Sequence, residues 1–411
     1  MFPPVYEEGA FSTSGHILPP YSPRERPDGG SKRTEHVFSL KDQKKKIRAT
    51  LKLLSSAPTP ASLPTFLAGD KINGSLTLHI PRSEKISEVS VLVRGEIVTG
   101  SQKQDRLCFL NIQIPLWSKG GGGTSAALSG DCHWPFSLDI PKDVALEDYA
   151  RPGNFRTYAL PQTFLERHSN ASAHYHLSVQ IIRSSLLLHT MFVYVPAVRP
   201  DPPSILRQVA YRNNISIPGP EIDRDGWHTC PTVNSKGTIF NIRKVEVQCS
   251  LSLAKPLAYT RGSVIPCSLT IFCQDQQVLN LLGSPSTLNV RLCRQVKCKS
   301  TSPAARTSNP LRFTADDVEE SGRAIWWPKD DETGHPESRR FEGEIKLAKN
   351  LKPTSAISHF SLTYFVVMLP FEVTGFLPVN TQPLIQQEVQ IATIFAKGPR
   401  PRHYAPDSGT C

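Results

Sequence analysis

The sequence predicts an all-β protein, and three observations lead to that class. Apolar residues alternate with polar ones at a spacing of two along several segments, as they do in half-buried strands. The 411 residues include 36 prolines and 25 glycines, a content typical of many strands joined by turns. Apart from one short helix expected near Asp143–Tyr149, no segment sustains the 3.6-residue period of an amphipathic helix.

The alternating segments follow one another along most of the chain. Their apolar residues are Leu76, Leu78 and Ile80; Val89, Val91 and Val93; Tyr175, Leu177, Val179 and Ile181; Val245, Val247, Cys249, Leu251 and Leu253; Phe360, Leu362, Tyr364, Val366 and Met368; and Val389, Ile391 and Phe395. Turn signals such as Gly69-Asp70 and Arg261-Gly262 separate these strands. Phe365 and Val367 make one strand apolar on both faces, which predicts a position in the middle of a sandwich.

A proline-rich segment divides the chain. Three prolines between Val198 and Pro203 cannot lie in a central strand, and the next strong strand pattern begins only near Thr238. We therefore expect two tandem immunoglobulin-like β-sandwich domains of about seven strands each, their sheets packed face to face. The expected regions are a disordered arm at 1–40, an N-terminal domain at 41–197, a linker at 198–224, a C-terminal domain at 225–398 and a basic tail at 399–411.

Charge and cysteine content restrict the partners and the compartment. The net charge of +11 and a pI of about 9.2 favour anionic partners, and nucleic acid is not expected because its binding motifs do not occur. Nine cysteines without a CxxC pair indicate a reducing compartment. The N-terminus lacks the apolar core of a secretory signal, and the longest apolar run is too short for a bilayer. We expect a cytoplasmic protein.

Two proline–tyrosine (PY) motifs lie within the first 21 residues. Pro3-Pro4-Val5-Tyr6 matches PPxY, and Leu18-Pro19-Pro20-Tyr21 matches the looser LPxY. Consecutive prolines form a polyproline II segment in advance, so little entropy is lost on docking to an aromatic groove. One such motif can arise by chance in a proline-rich chain, but two in one segment favour a function. The predicted WW-domain-binding residues are Pro3, Pro4, Tyr6, Leu18, Pro19 and Tyr21.

A basic cluster opens the first β domain. Lys44, Lys45, Lys46 and Arg48 could bind phosphorylated tails or acidic lipid. The alternative is a solvated end of the first strand, where lysines discourage edge-to-edge aggregation. Such contacts act over about 8 Å at physiological salt, so they assist docking without specifying a partner.

Motifs of catalysis are absent from the sequence. It contains no GxSxG, HExxH, P-loop or GxGxxG pattern, so we expect no enzyme, no catalytic residue and no cofactor. His174 and His176 lie two apart on one strand and share a face, with His168 nearby. A metal site there is the less favoured alternative to an ordinary exposed face, and a hydrolase or metalloenzyme is the least favoured function.

Several short segments resemble the arrestin-like family, in particular the fungal-type α-arrestins with arrestin N- and C-domains. The resembling segments, in chain order, are Phe66–Gly74, His133–Pro141, Tyr158–Phe164, Tyr175–Val179 and Tyr259–Pro266. Their order and spacing, over about residues 45 to 397, carry the resemblance. Two features depart from it: the PY motifs precede the first domain instead of following the second, and Gln162 stands where the family has a second proline.

The resemblance implies an arrestin fold and a non-enzymatic adaptor. Such an adaptor recruits a WW-domain ubiquitin ligase of the HECT class to the cytoplasmic tails of membrane transporters or receptors, and promotes their ubiquitination and endocytosis. It also implies a peripheral location at the plasma membrane or endosomes, with possible contact to an acidic membrane surface. The alternative is a retromer-like arrestin-fold trafficking scaffold that recruits no ligase.

Overall fold

The computed structural model describes most of the chain between residues 33 and 406, and it confirms the all-β class. The described ranges are 33–41, 45–84, 86–98, 106–119, 128–147, 153–166, 171–182, 187–298, 318–329, 336–358 and 360–406. Residues 1–32 of the predicted disordered arm lie outside these ranges. Its last residues, 34–40, belong to a β-strand, Thr34–Lys41, so the prediction of disorder is wrong for that part. The boundaries of the predicted domains stay predictions.

Two sheets make up the first half of the described chain. The four-stranded sheet has the order β1-β2-β4-β7, and the five-stranded sheet has the order β3-β11-β10-β5-β6. The strands are β1 (Thr34–Lys41), β2 (Ile47–Ser55), β3 (Thr65–Leu67), β4 (Lys71–Glu84), β5 (Glu88–Val98), β6 (Arg106–Ser118), β7 (Leu128–Asp139), β10 (Ser172–Ile182) and β11 (Leu187–Val195). A separate hairpin joins β8 (Asp143–Glu147) to β9 (Phe155–Ala159). The short helix predicted near Asp143–Tyr149 is therefore wrong.

Strict alternation places the core between these two sheets. Every second residue of β10 is buried, beginning with Ala173 and Tyr175, while the residues between them are half-exposed. Tyr175 packs its ring against Phe109 and Phe192, and its hydroxyl donates a 2.7 Å hydrogen bond to the carbonyl of Pro161. A buried tyrosine needs such a partner, because an unpaired hydroxyl costs about 1–3 kcal/mol in a core. Burial raises the pKa of Tyr175 well above 10, so the hydroxyl stays a donor.

One large curled sheet makes up the second half. Its order is β15-β23-β21-β17-β18-β19-β16-β14-β13-β22, with β12 paired to β14 and β20 paired to β21. The strands are β12 (Trp227–Thr229), β13 (Val233–Ile239), β14 (Arg243–Ala254), β15 (Ala258–Thr260), β16 (Val264–Phe272), β17 (Val290–Cys298), β18 (Val318–Pro328), β19 (Ser338–Lys346), β20 (Ser355–Ile357), β21 (Phe360–Met368), β22 (Phe376–Pro378) and β23 (Ile385–Ala392). The strand β21 lies in the interior of this sheet, between β17 and β23, and its first residues also pair with β20.

The strand β18 takes part in both layers of this sheet. Its first part, Val318–Arg323, pairs with β17, and its second part, Ala324–Pro328, pairs with β19. One strand thus connects two layers that would otherwise be separate sheets facing each other. The buried residues of both layers belong to the same hydrophobic core.

The strand order of the first half recurs in the second. The run β13-β14-β16-β19 repeats β1-β2-β4-β7, and β15-β23-β21-β17-β18 repeats β3-β11-β10-β5-β6. In each half a three-residue strand pairs in parallel with the last strand of that half. The glycine after it, Gly69 or Gly262, has a left-handed φ of +87° or +78°. Because only glycine adopts such a φ without strain, the same turn is encoded in both halves.

A helix and part of the C-terminal segment lie against the second half. The helix α1 (Ile205–Asn213) lies inside the predicted linker, and a second helix, α2 (Gln276–Leu282), follows β16. Arg402, in the predicted tail, donates 2.8 Å hydrogen bonds to the carbonyl of Tyr211 and to Oδ1 of Asn214. This part of the tail therefore packs on α1 instead of extending from the fold.

Arg207 anchors α1 to the second half. Its side chain is only 1% exposed, and its guanidinium donates to the carbonyls of Lys255 at 2.8 Å and Gly226 at 2.7 Å. The same group lies 4.9 Å from the ring centroid of Trp227. Burying a guanidinium is costly unless its donors are paired. Here the two terminal nitrogens donate to carbonyls and the ring of Trp227 faces the group, while Nε is buried without a hydrogen-bond partner among the described residues.

We predict that Arg207→Ala lowers the free energy of unfolding by about 2–4 kcal/mol, because it leaves two buried carbonyls unpaired and removes the contact with Trp227. Arg207→Lys is expected to be nearly as damaging, since one ammonium cannot reproduce the planar fork. Urea denaturation measures both. The control is Arg212→Ala on the exposed side of α1, which should change stability by less than about 0.5 kcal/mol. An equally small change for Arg207→Ala would contradict the anchoring role.

Candidate functional site

Part of the predicted basic cluster lies in the turn that joins β1 to β2. Lys45 and Lys46 are exposed there, and Lys45 has a left-handed φ of +60°. Arg48 is half-buried on β2, and Lys44 lies outside the described residues. Because β1 is an edge strand, the turn lies at a corner of the four-stranded sheet. This position suits both predicted roles, protection of an edge strand and binding of an anion.

The equivalent turn of the second half carries apolar side chains. The β13–β14 hairpin turns at Phe240 and Asn241, and the two residues that we name the apolar tip, Phe240 and Ile242, are 65% and 89% exposed. Leu377 and Val379, in and just after the paired strand β22, are also largely exposed. Clustered apolar side chains in water mark contact surfaces more often than isolated ones do.

Basic residues flank the apolar tip. Arg243 and Lys244 follow it on β14, and Lys236 precedes it on β13. Arg243 forms a 2.9 Å ion pair with Asp275, and Lys236 lies 3.7 Å from Glu246. An exposed apolar tip beside cations has the composition of a surface that inserts into the headgroup region of an anionic bilayer.

The six predicted WW-binding residues, from Pro3 to Tyr21, lie outside the described residues. The first buried residue of the described chain is His36 on β1, whose ring nitrogen Nε2 lies 2.9 Å from the hydroxyl of Ser55. The PY motifs therefore stand N-terminal to the first described strand in sequence, and their role stays a prediction.

An ion-pair cluster joins the two halves of the described chain. Arg294 on β17 meets Glu166, which precedes β10, through two N–O contacts of 2.8 Å each. The same guanidinium contacts Glu319 on β18 and lies 5.9 Å from the ring centroid of Phe164. Although burial lowers the pKa of Arg294, the hydrogen bond and charge of Glu166 and the charge of Glu319 outweigh it and raise that pKa. We name this cluster the junction.

A second polar contact lies near the junction, at Gln162. Gln162 is buried, and its Oε1 accepts a 3.1 Å hydrogen bond from Arg261, which also donates to the carbonyl of Leu351. The rings of Phe164 and Phe360 meet nearby, with centroids 5.6 Å apart. A proline at position 162 could not accept this side-chain hydrogen bond, so glutamine here has a structural use.

A row of histidines lies on the outer face of the five-stranded sheet. His174 and His176 on β10 alternate with the buried Ala173, Tyr175 and Leu177. The ring centroids of His174 and His176 are 5.0 Å apart, and Nδ1 of His176 lies 2.9 Å from Nε2 of His189 on β11. We name His174, His176 and His189 the histidine row. The third histidine considered from the sequence, His168, lies outside the described residues.

The pKa values of two histidines are lowered. Partial burial, together with the charges of His174 and His189, lowers the pKa of His176 from 6.5 to about 4. Burial also lowers the pKa of His174, although the charge of Glu96 opposes that shift. Both rings are therefore neutral at pH 7, the form in which imidazole accepts hydrogen bonds or binds metal ions.

Strand register places an acid beside this row. Glu96 on β5 lies directly opposite His174 in the antiparallel ladder. Sequence reasoning found His174 and His176 from their spacing, but it missed Glu96, because cross-strand pairs depend on a register that spacing within one strand does not set. The sequence feature that could have indicated Glu96 is a charged residue near the end of a mostly apolar strand, β5.

Comparison with known proteins gives no assignment: no protein-family model and no curated protein matches this chain. In the described part of the chain, no helix has the length and apolar character that crossing a bilayer requires. The function must therefore be inferred from the residues and surfaces described above.

We predict that Glu166 and Arg294 couple across the junction. A double-mutant cycle of Glu166→Gln and Arg294→Gln, measured by urea denaturation, should give a coupling free energy of about 1–2 kcal/mol, because the pair is bidentate and largely shielded from water. The exposed pair Glu35–Lys52, whose N–O distance is 3.2 Å, is the control and should give less than about 0.5 kcal/mol. Equal coupling energies for the two pairs would show that the junction adds no specific stability.

Proposed function

We propose that this chain is a non-enzymatic adaptor that recruits a WW-domain ubiquitin ligase of the HECT class to membrane-protein cargo. The observation that carries the proposal is the placement of two PY motifs within 21 residues, ahead of a β fold whose strand order repeats. The motifs supply a ligand for the ligase, and the sheets supply a larger surface for the cargo. Ubiquitination and endocytosis of the cargo are the consequence.

The spacing of the motifs favours a partner with tandem WW domains. Eleven residues, Glu7 to Ile17, separate the first motif from the second, and this spacer is short enough to keep both motifs near one ligase molecule. When one motif binds, the second is held at a high local concentration, so weak single contacts add up to useful avidity. Each motif alone is expected to bind weakly, since a PPxY contact buries little surface.

The cargo is proposed to be the cytoplasmic tail of a membrane transporter or receptor, at the plasma membrane or endosomes. The basic cluster and the net charge of +11 favour an acidic or phosphorylated segment and an acidic membrane surface. The apolar tip adds a membrane contact of a different kind, in which Phe240 and Ile242 leave water for the headgroup boundary. The two surfaces act together, since charge attracts the protein and apolar contact retains it.

The decisive prediction concerns the ligase. The full-length chain should bind a tandem WW-domain protein. The variant Tyr6→Ala/Tyr21→Ala should bind it at least about tenfold more weakly, because each substitution removes the ring that the groove of a WW domain would bury. Titration by calorimetry or fluorescence measures the affinities. Phe11→Ala removes an aromatic ring from the same segment outside the motifs, and it should bind like the wild type.

Each single tyrosine variant should lie between the wild type and the double variant, since one motif remains. Equal binding by the wild-type chain and the double variant would reject ligase recruitment through these motifs. The trafficking scaffold without ligase recruitment would then be the better account, and it predicts stable co-purification with sorting subunits.

A second prediction concerns the membrane. Phe240→Ser/Ile242→Ser should weaken binding to vesicles of phosphatidylcholine and phosphatidylserine by about tenfold or more, because less apolar area leaves water. Lys44→Glu/Lys45→Glu/Lys46→Glu should weaken the binding mainly at low salt, since screening already removes that attraction at high salt. Vesicle co-sedimentation measures both effects.

The control for the apolar tip is Ile205→Ser on α1. This side chain is 79% exposed but lies outside the β13–β14 hairpin, so its loss should leave vesicle binding unchanged. If the tip variant binds vesicles as well as the wild type does, the apolar tip is not a membrane contact.

A further inference from the structure

Three strands of the five-stranded sheet bring possible metal ligands together on its outer face. Glu96 on β5 faces His174 on β10, and His189 on β11 contacts His176 from the other side. The ligand atoms of Glu96, His174 and His176 all lie within 4.8 Å of one another. All three side chains are partly buried, so they are more ordered than freely solvated groups.

We propose that Glu96, His174 and His176 bind a divalent transition-metal ion, for which Zn²⁺ is the natural probe. Two imidazoles and one carboxylate are a ligand set that zinc commonly takes in proteins, with a water molecule in the fourth position. Imidazole nitrogen disfavours the hard ions Mg²⁺ and Ca²⁺, which prefer oxygen ligands. The class of ligand is therefore a borderline divalent cation such as Zn²⁺, Co²⁺ or Ni²⁺.

The hydrogen bond between His176 and His189 leaves the other ring nitrogen of His176 for the metal. Nδ1 of His176 is engaged by Nε2 of His189 at 2.9 Å. When Nδ1–H is the donor, Nε2 of His176 keeps its lone pair for a metal ion. Metal-binding histidines are regularly held in one orientation by a partner on their other nitrogen. His189 is thus a positioning residue.

To bind a metal ion, the three ligand atoms must move slightly closer together. Tetrahedral zinc with bonds of about 2.1 Å places its ligand atoms about 3.4 Å apart, whereas here they lie within 4.8 Å of one another. Rotation about the side-chain torsions of residues on adjacent strands covers a difference of this size, while the backbone ladder between β5 and β10 stays intact. The sheet therefore holds the ligands close without fixing them in the final geometry.

Two arginines compete with the metal for Glu96. Arg94 and Arg106 approach its carboxylate oxygens at 3.6 Å and 3.7 Å, which are longer than hydrogen bonds. Their charges repel a bound cation and attract the carboxylate away from it. This competition limits the affinity for the metal ion. Removing one arginine should therefore strengthen metal binding. No such effect is expected if the histidine row has only a structural role.

The experiment titrates the full-length chain with Zn²⁺ against a chromogenic chelator, followed by Co²⁺ for its visible absorption. The wild type should bind one ion at this site, and Co²⁺ should give the intense bands of a four-coordinate site. His174→Asn and His176→Asn should each weaken Zn²⁺ binding by about tenfold or more, and Arg106→Gln should tighten it several-fold. Excess Zn²⁺ should raise the melting temperature of the wild type by about 2–4 °C.

The matched control is His133→Asn. His133 is an exposed histidine on β7, in the other sheet, where its Nδ1 lies 3.0 Å from the hydroxyl of Thr77. It should leave both the affinity and the stoichiometry unchanged. Far-ultraviolet circular dichroism without metal checks that every variant is folded. The proposal is overturned if the wild type binds no Zn²⁺, or if His174→Asn and His176→Asn bind it as tightly as His133→Asn does.

Discussion

Each of the three larger sheets in the described part of the chain has a face that must leave water, and much of the structure follows from that constraint. Alternation supplies the apolar face, as in β10, where Tyr175 and Leu177 point inward while His174 and His176 point outward. Apolar burial is the main stabilising force, so the inward set is tightly restricted, whereas the outward set can vary in chemistry. The histidine row and the basic cluster both lie on the outside of the sheets, where packing in the core does not restrict the residue type.

The same alternation explains what the sequence could predict. The strand around Cys249 is found because Val247, Leu251 and their neighbours are all buried. Helix α1 is missed because its pattern is inverted: Arg207 is buried, while Ile205 is exposed. The segment around Asp143 also misleads, since its residues pair in a hairpin whose apolar side chains, such as Val144 and Leu146, are only partly buried against the core. Glu96 and the junction depend on register and on contacts between distant segments, which no local pattern contains.

Charged and polar side chains form several of the contacts between the two halves. Arg294 reaches Glu166 across it, Arg261 reaches Gln162, and Thr393 donates a 2.6 Å hydrogen bond to the carbonyl of Pro196. Such contacts fix an orientation, because a bidentate pair tolerates little rotation. They also contribute less to stability than a dry apolar interface of equal area, since each ion must first lose water. These polar contacts thus help to fix how the two halves are arranged.

Two turns at equivalent positions of the repeated strand order have acquired different chemistry. The β1–β2 turn presents Lys45 and Lys46, whereas the β13–β14 turn presents Phe240 and Ile242. A turn contributes little to the core, so substitutions there change the surface without disturbing the sheets. Long-range attraction by lysines and short-range retention by apolar side chains are complementary, because charge acts over a Debye length and apolar contact only at touching distance. Because the strand order repeats, the fold contains two equivalent turns. One can therefore supply electrostatic attraction and the other apolar contact.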